Sequence, residues 1–270
     1  MTQTILCIGQ SDSSAGTGIQ GDLKTAQAFG VYAATALTSV IAQNTHGTFE
    51  THMLPAPMIA AQIRAVLEDL HPMVIKLGML GTTEIIDTIG DFLDDKHAGL
   101  QVVIDPVMTN RAGNLLLDKE AQDALKRRLL IHADIFTPNV IETAELTGID
   151  IRDIDQMQHA GEMLHTLGAK TVIVKGGGLG SKHIQDFFIN EEKEEILTTP
   201  RSPSTNTHGA GTTLASGIAC GLARGLSPYD AFLKAHQFMT AGIESGPKIG
   251  GGHNGPLNHT LHNQDKYRLT

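Results

Sequence analysis

NTHGAGTTLASGIACGLARG, residues 206–225, sets two glycines and two threonines directly before a long apolar run. Gly209 and Gly211 allow the backbone to come close to an anion. A helix starting near Ala210 would then aim its unpaired N–H groups and the positive end of its dipole at that anion. Read this way, the stretch predicts a loop-to-helix phosphate cradle and makes phosphoryl transfer the leading chemistry. The same residues also suit an ordinary helix cap, so the rest of the chain has to decide.

Outward from this stretch, short apolar runs recur at 5–9 (ILCIG), 32–41, 73–78 (MVIKLG), 102–105 (VVID), 134–137 (DIFT) and 171–176 (TVIVKG). Helical patterns separate them. Between Ala56 and Leu70 the apolar residues Ile59, Ile63, Val66, Leu67 and Leu70 recur at helical spacing, with Pro57 suited to a first turn. Alternation of this kind predicts an α/β fold, a mainly parallel sheet with helices on both faces, whose ligands sit beyond the carboxyl ends of the strands. Residues 183–198 (HIQDFFINEEKEEILT) break the rhythm and predict an antiparallel edge hairpin with an acidic turn. No repeat or linker divides the 270 residues, so one domain is expected.

Composition narrows the partner. Glycine is 29 of 270 residues, against roughly 19 at average usage, as a chain with many tight turns would need. A net charge of −9 without any Lys/Arg block argues against nucleic-acid or anionic-membrane partners and for a small ligand. Cys7 and Cys220 each lie in apolar sequence without metal spacing, which predicts buried thiols in a reducing, cytoplasmic setting. The N-terminus has no basic n-region, and no stretch approaches a membrane span.

Each further motif has a chemical and a plain reading. Gly16, Gly18 and Gly21 match GxGxxG, yet they do not follow the strand directly, and after Asp22 no acid occurs until Glu50. The dinucleotide reading is therefore set aside, and residues 9–25 are expected to form a small-residue loop over a ligand. No P-loop signature is present. Asp105, before Pro106, would point into the cleft from a strand end, where a carboxylate could serve Mg²⁺ or a phosphoryl group, unless it is merely a turn residue. Asn139 and Glu142 stand one helical turn apart, as a metal or phosphate site requires and as a capping box equally requires. Lys175, followed by three glycines, could give a point charge to a nucleotide phosphate or simply end a strand. His253, His259 and His262 lack a zinc-site pattern and predict no metal centre.

Taken in order, SDSSAGTGIQGDLKT, ALTSVIAQNTHG, KLGML, DPVM, ADIFTPNVIETAELTG, VIVKGGG, NTHGAGTTL and GHNGPLNH resemble the hydroxymethylpyrimidine/phosphomethylpyrimidine kinases of thiamine biosynthesis, within the ribokinase-like superfamily. The resemblance covers nearly the whole chain. It implies a three-layer ribokinase-like domain, often paired as a homodimer, that uses ATP and Mg²⁺. Carried over by residue, it implies pyrimidine contacts at Gln43 and Met79 and nucleotide or Mg²⁺ contacts at Asp105, Asn139, Glu142, Lys175 and Thr207. It also implies an anion hole at Gly209, Ala210 and Gly211. Two positions depart from the family. Thr212 stands where the family carries Cys and ribokinases at large carry a catalytic Asp, and Gln10 stands where the family usually places Gly against the pyrimidine. A threonine hydroxyl is no useful base near neutral pH. Thr212 is therefore expected to hydrogen-bond the attacking hydroxyl, with Asp105 or water taking the proton. The alternatives are a pyridoxal or pyridoxine kinase and a pyrimidine-binding regulator without turnover.

Overall fold

Every apolar run singled out above as a strand lies in one nine-stranded sheet in the computed structural model, which describes residues 2–95, 99–109 and 115–261. The strands are β1 (Thr4–Asp12), β2 (Tyr32–Asn44), β3 (Gly47–Met53), β4 (Val74–Leu77), β5 (Gln101–Ile104), β6 (Ile135–Phe136), β7 (Thr171–Val174), β8 (His183–Asn190) and β9 (Glu194–Pro200). Their order across the sheet is β3-β2-β1-β4-β5-β6-β7-β8-β9. The six central strands from β2 to β7 run parallel, while β3 at one edge and β8 and β9 at the other pair antiparallel. The expected edge hairpin is β8–β9. Strand β3 was not anticipated from the sequence.

The helices are α1 (Gly18–Phe29), α2 (Ala56–Leu70), α3 (Thr83–Asp94), α4 (Lys119–Arg128), α5 (Val140–Thr147), α6 (Ile154–Thr166), α7 (Ala210–Ala223) and α8 (Pro228–Glu244). They cover both faces because strand side chains alternate. In β1, Leu6 and Ile8 join a core with Ile59 and Ile63 of α2 and Ile85, Ile86 and Ile89 of α3. Ile5 and Cys7 point the other way, into a core with Leu214 and Ile218 of α7 and Phe232 of α8. The predicted helix 56–70 has the observed limits, with Ile59 and Ile63 fully buried, worth roughly 1.5–3 kcal/mol each. Cys7 and Cys220 are buried free thiols, as expected.

Two features of the second face fix the position of α7. A Cβ on Gly217 or Gly221 would lie 2.8 or 2.7 Å from the methyls of Ala235 or Ala231, so α7 and α8 meet backbone to backbone through four small residues. On its other side α7 packs against α1, and the two together deliver their N-termini to the carboxyl ends of the strands. The expected loop at 9–25 is shorter than foreseen. β1 continues to Asp12 and α1 begins at Gly18, leaving only residues 13–17 as loop, because Ile19 and Ala26 supply a buried face that outweighs the glycines.

Candidate active site

Parallel strands end together, so their carboxyl ends collect residues distant in sequence. Here β1 brings Gln10 and Asp12, the turn after β4 brings Met79, β5 brings Asp105, and β6 and β7 bring Asn139 and Lys175. The N-terminus of α7 faces them.

Gly209 caps α7 in the left-handed conformation, φ 93°, and a Cβ there would sit 1.9 Å from the Gly16 carbonyl oxygen, so only glycine fits. The Ala210 N–H is engaged by the Thr207 carbonyl at 3.2 Å. Gly211 lies nearest the charges: a Cβ on it would be 3.3 Å from Lys175 Nζ and 3.6 Å from Asp105 Oδ2. Lys175 donates to Asp105 Oδ1 at 2.7 Å, with the two side chains 17% and 4% exposed. Burial opposes the Lys175 ammonium, but Asp105 and Glu142 outweigh it and raise its pKa, so it stays a cation.

Asn139 and Glu142 form the capping box: Asn139 Oδ1 accepts the Glu142 N–H at 2.9 Å and Glu142 Oε2 accepts the Asn139 N–H at 2.8 Å. Glu142 Oε1 also accepts the Met108 N–H at 3.1 Å. Burial pushes the Glu142 carboxyl up, with Lys175 opposing. The capping-box reading is the one observed, and it sets the Glu142 carboxylate near the charges of Lys175 and Asp105.

Thr212, in the first turn of α7, shares a 2.7 Å hydrogen bond with the Thr17 hydroxyl. Gln43 has its backbone tied to Ser13 and its side chain to two neighbours. Thr48 Oγ1 donates to its Oε1 at 2.6 Å, and its amide nitrogen lies 3.3 Å from His208 Nε2. Met79 and Gln10 are buried beside Thr212 around a cavity of about 20 Å³, which Asp22 and Lys76 also line. That volume holds one water-sized group. An apolar groove of about 510 Å³ lined by Phe29, Leu226 and Phe238 opens elsewhere, between α1, α7 and α8, and contains none of these groups.

Four residues of the site escaped the sequence reading. Asp12 accepts from the Ser14 and Thr17 N–H groups and lies 3.4 Å from His208 Nε2. Burial pushes its carboxyl up, but His208, Ser14 and Thr17 outweigh this and bring it to about 2. His208 links this loop to the Gln43 side chain. Lys76 and Asp22 form an ion pair at 3.0 Å, 2% and 0% exposed, and Ser216 of α7 donates to the same Asp22 oxygen. Of these four, only Lys76 carried a usable sequence signal, a lone cation in the apolar run MVIKLG.

Among the three histidines set aside above, His259 hydrogen-bonds Thr213 at 2.9 Å and His253 is exposed, while His262 lies outside the described residues. Among the described residues no three His, Cys, Asp or Glu side chains cluster as a metal site.

Residues 12–258 match the family model described as phosphomethylpyrimidine kinase. The chain belongs to that family. A hydroxymethylpyrimidine/phosphomethylpyrimidine kinase of Haemophilus influenzae is 43% identical over 259 residues, spanning 94% of this chain and 96% of the relative. Among solved structures, the phosphomethylpyrimidine kinase of Clostridium difficile is 37% identical with TM-score 0.79, covering 88% of this chain and 98% of that one. The pyridoxal kinase of Staphylococcus aureus in complex with AMP-PCP and pyridoxal is 32% identical with TM-score 0.89, covering 98% and 96%. The fold is therefore that of the ribokinase-like kinases, and the bound AMP-PCP belongs to the Staphylococcus enzyme.

Proposed function

We propose that this chain transfers the γ-phosphoryl group of ATP to the hydroxymethyl oxygen of 4-amino-5-hydroxymethyl-2-methylpyrimidine and, in a second reaction, to its monophosphate. One observation carries the reading: the cradle at the start of α7 faces the Asp105–Lys175 pair on one side and the cavity of Gln10, Met79 and Thr212 on the other. A donor phosphate and an acceptor alcohol held at those two places would meet beside Thr212.

In this reading the N–H groups of Gly209 and Gly211 and the dipole of α7 receive charge spreading over the transferring phosphoryl, and the Ala210 N–H joins them on leaving the Thr207 carbonyl. Lys175 supplies a point charge to the nucleotide, and Asn139 and Thr207 flank its phosphates. Gln43 and Met79 hold the ring, one by its amide and the other as an adaptable apolar wall. Thr212 orients the attacking hydroxyl, whose proton leaves to Asp105 Oδ2 or to water. The remaining lone pairs of Glu142, and the Asp105 carboxylate acting through a water, are hard donors that fit Mg²⁺, an ion usually held by few protein ligands and several waters. Mg²⁺ there would neutralise the phosphate charge.

The reading extends to assembly and setting: one kinase domain, two copies paired, in the cytoplasm. Support for pairing comes from β2 and β3, where Tyr32, Val40 and Phe49 are 56%, 47% and 70% exposed. Buried unpaired thiols suit a reducing compartment. No helix among the described residues is long and apolar enough to cross a membrane.

The test is a comparison of steady-state rates with ATP and Mg²⁺ on the aminopyrimidine alcohol and on pyridoxal. A kcat/KM at least tenfold higher for the pyrimidine is expected. Preference for pyridoxal would make the chain a pyridoxal kinase, and tight pyrimidine binding without transfer would make it a regulator.

A further inference from the structure

Helical threonines of this chain turn their hydroxyls back on their own backbone. Thr25, Thr143 and Thr147 each donate to the carbonyl four residues earlier, at 2.8 Å, a common use of a threonine inside a helix. Thr212 does otherwise: its hydroxyl meets that of Thr17, across 195 residues of chain. Thr17 is out of habit too. It is the N-cap of α1, in the extended conformation that lets a threonine oxygen accept an N–H of the first turn, yet its side chain makes no cap bond. Its backbone is held on both sides. Asp12 accepts the Thr17 N–H at 3.0 Å, and Gly18 enters the helix at φ 57°, where a Cβ would lie 2.4 Å from the Gln10 carbonyl oxygen. Two hydroxyls thus forgo their local partners for each other, and both line the cavity with Gln10 and Met79 beside which the reading above places the acceptor's alcohol.

The direction of this 2.7 Å bond decides what Thr212 offers that alcohol. A hydroxyl has one hydrogen and two lone pairs. If Thr212 donated to Thr17, it would keep only lone pairs for the substrate and would draw the alcohol's hydrogen to itself, away from Asp105. If Thr17 donates, the Thr212 hydrogen is left for the alcohol oxygen, and the incoming bond strengthens it as a donor. The alcohol then has all three of its sites in use. One lone pair accepts from Thr212, the other attacks the γ-phosphorus as the bond from that phosphorus to the ADP oxygen breaks, and the hydrogen leaves as a proton for Asp105 Oδ2 or water.

We propose that Thr17 is a positioning residue for the phosphoryl acceptor, its hydroxyl donating to Thr212 and so keeping the Thr212 hydrogen aimed at the alcohol oxygen. The role rests on the kinase reading above and deepens it, since the acceptor is gripped through a pair of hydroxyls drawn from the two helices that meet at the strand ends. Without Thr17, the Thr212 hydroxyl swings back to the His208 carbonyl one turn earlier, the arrangement the other helical threonines adopt.

The experiment measures kcat and KM for the pyrimidine alcohol, with ATP and Mg²⁺, in the parent, Thr17→Val, Thr17→Ser, Thr212→Val and the double variant Thr17→Val/Thr212→Val. One neutral hydrogen bond sets the scale, so Thr17→Val should lower kcat by up to about tenfold and leave the KM for ATP unchanged. Thr17→Ser, which keeps the hydroxyl, should keep the parent rate. The double variant should be no slower than Thr212→Val alone, because Thr17 acts through Thr212. A Thr17→Val variant as fast as the parent would overturn the assignment, and a slow Thr17→Ser beside it would make Thr17 a packing residue. Losses that multiply in the double variant, to about a hundredfold, would also overturn it by giving Thr17 an effect independent of Thr212. Either pattern in a parent that phosphorylates the pyrimidine sinks this assignment alone, whereas a parent that phosphorylates neither the pyrimidine nor pyridoxal sinks the kinase reading beneath it.

Discussion

Replacing Thr212 with valine keeps the shape of the side chain and removes only its hydroxyl, which isolates the 2.7 Å bond to Thr17. The Thr212 methyl packs on α1, 3.2 Å from where a Cβ on Gly21 would stand, and valine preserves that contact. A neutral hydrogen bond is worth about 0.5–1.5 kcal/mol net. If Thr212 only orients the acceptor hydroxyl, the loss should lower kcat by up to about tenfold, at roughly 1.4 kcal/mol per decade. General-base catalysis contributes about 10²–10⁴-fold, so the two roles differ in magnitude and one assay separates them. Coupled measurement of ADP release at saturating ATP, with the pyrimidine varied, gives kcat and KM for the parent, Thr212→Val, Thr212→Ala and Thr212→Cys. The expected result is a modest fall in kcat for Val and Ala, and for Cys a new pH-dependent limb from thiol ionisation near a helix N-terminus. A thousandfold loss in Thr212→Val would refute the orienting role by making the hydroxyl the base. An alanine variant as fast as the parent would refute any direct role.

Other consequences are as direct. Gly209→Ala forces a side chain into the left-handed region and against the Gly16 carbonyl. Strain of about 1–3 kcal/mol should appear as a lower urea midpoint together with loss of most activity, and an unchanged midpoint would contradict the geometry. Lys175→Met leaves Asp105 buried without its partner. It should destabilise the fold by about 3–5 kcal/mol and raise the KM for ATP at least tenfold, read by calorimetry and kinetics. His259 is held down to about 4 by burial, with Lys24 adding to the effect. Its unfolded form takes a proton near 6.5 while the folded form resists until about 4, so stability should drop as pH falls through that window. Urea midpoints of His259→Gln should lack that portion of the slope. Asp12 has the opposite kind of perturbation, a lowered carboxyl. Its contribution, complete above the unfolded carboxylate pKa of about 3.9, should fade as pH drops toward about 2, and Asp12→Asn should abolish that dependence.

What could be seen in the sequence follows from how local the signal is. Helix α2 was legible to the residue because Ile59 and Ile63 recur at helical spacing and Pro57 suits a first turn. The β8–β9 hairpin was legible because a charged turn interrupts two β-rich runs. Strand β3 was not, since GTFETHM is exposed at six of its seven positions and shows no buried alternation. In the site, the glycine-rich start of α7 announced itself, and Asn139 and Glu142 were identified with both of their roles open. The partnership of Lys76 with Asp22 and Ser216 could not be read, because it joins β4, α1 and α7 across 54 and 194 residues of chain only once the sheet has assembled (76 − 22 and 216 − 22). Asp12 and His208 were hidden for the same reason, 196 residues apart.

The two cores on opposite faces of the sheet impose unequal freedom on sequence drift. Helices α2, α3, α4 and α6 form a ballast layer, where exchange of one aliphatic residue for another tunes robustness and leaves turnover alone. Helices α1 and α7 carry Asp22, Thr212 and Ser216 on the same surfaces that seal the other core. Mutational drift there cannot alter packing without also disturbing residues that border the proposed transfer site, so selection should police that layer far more strictly than its counterpart.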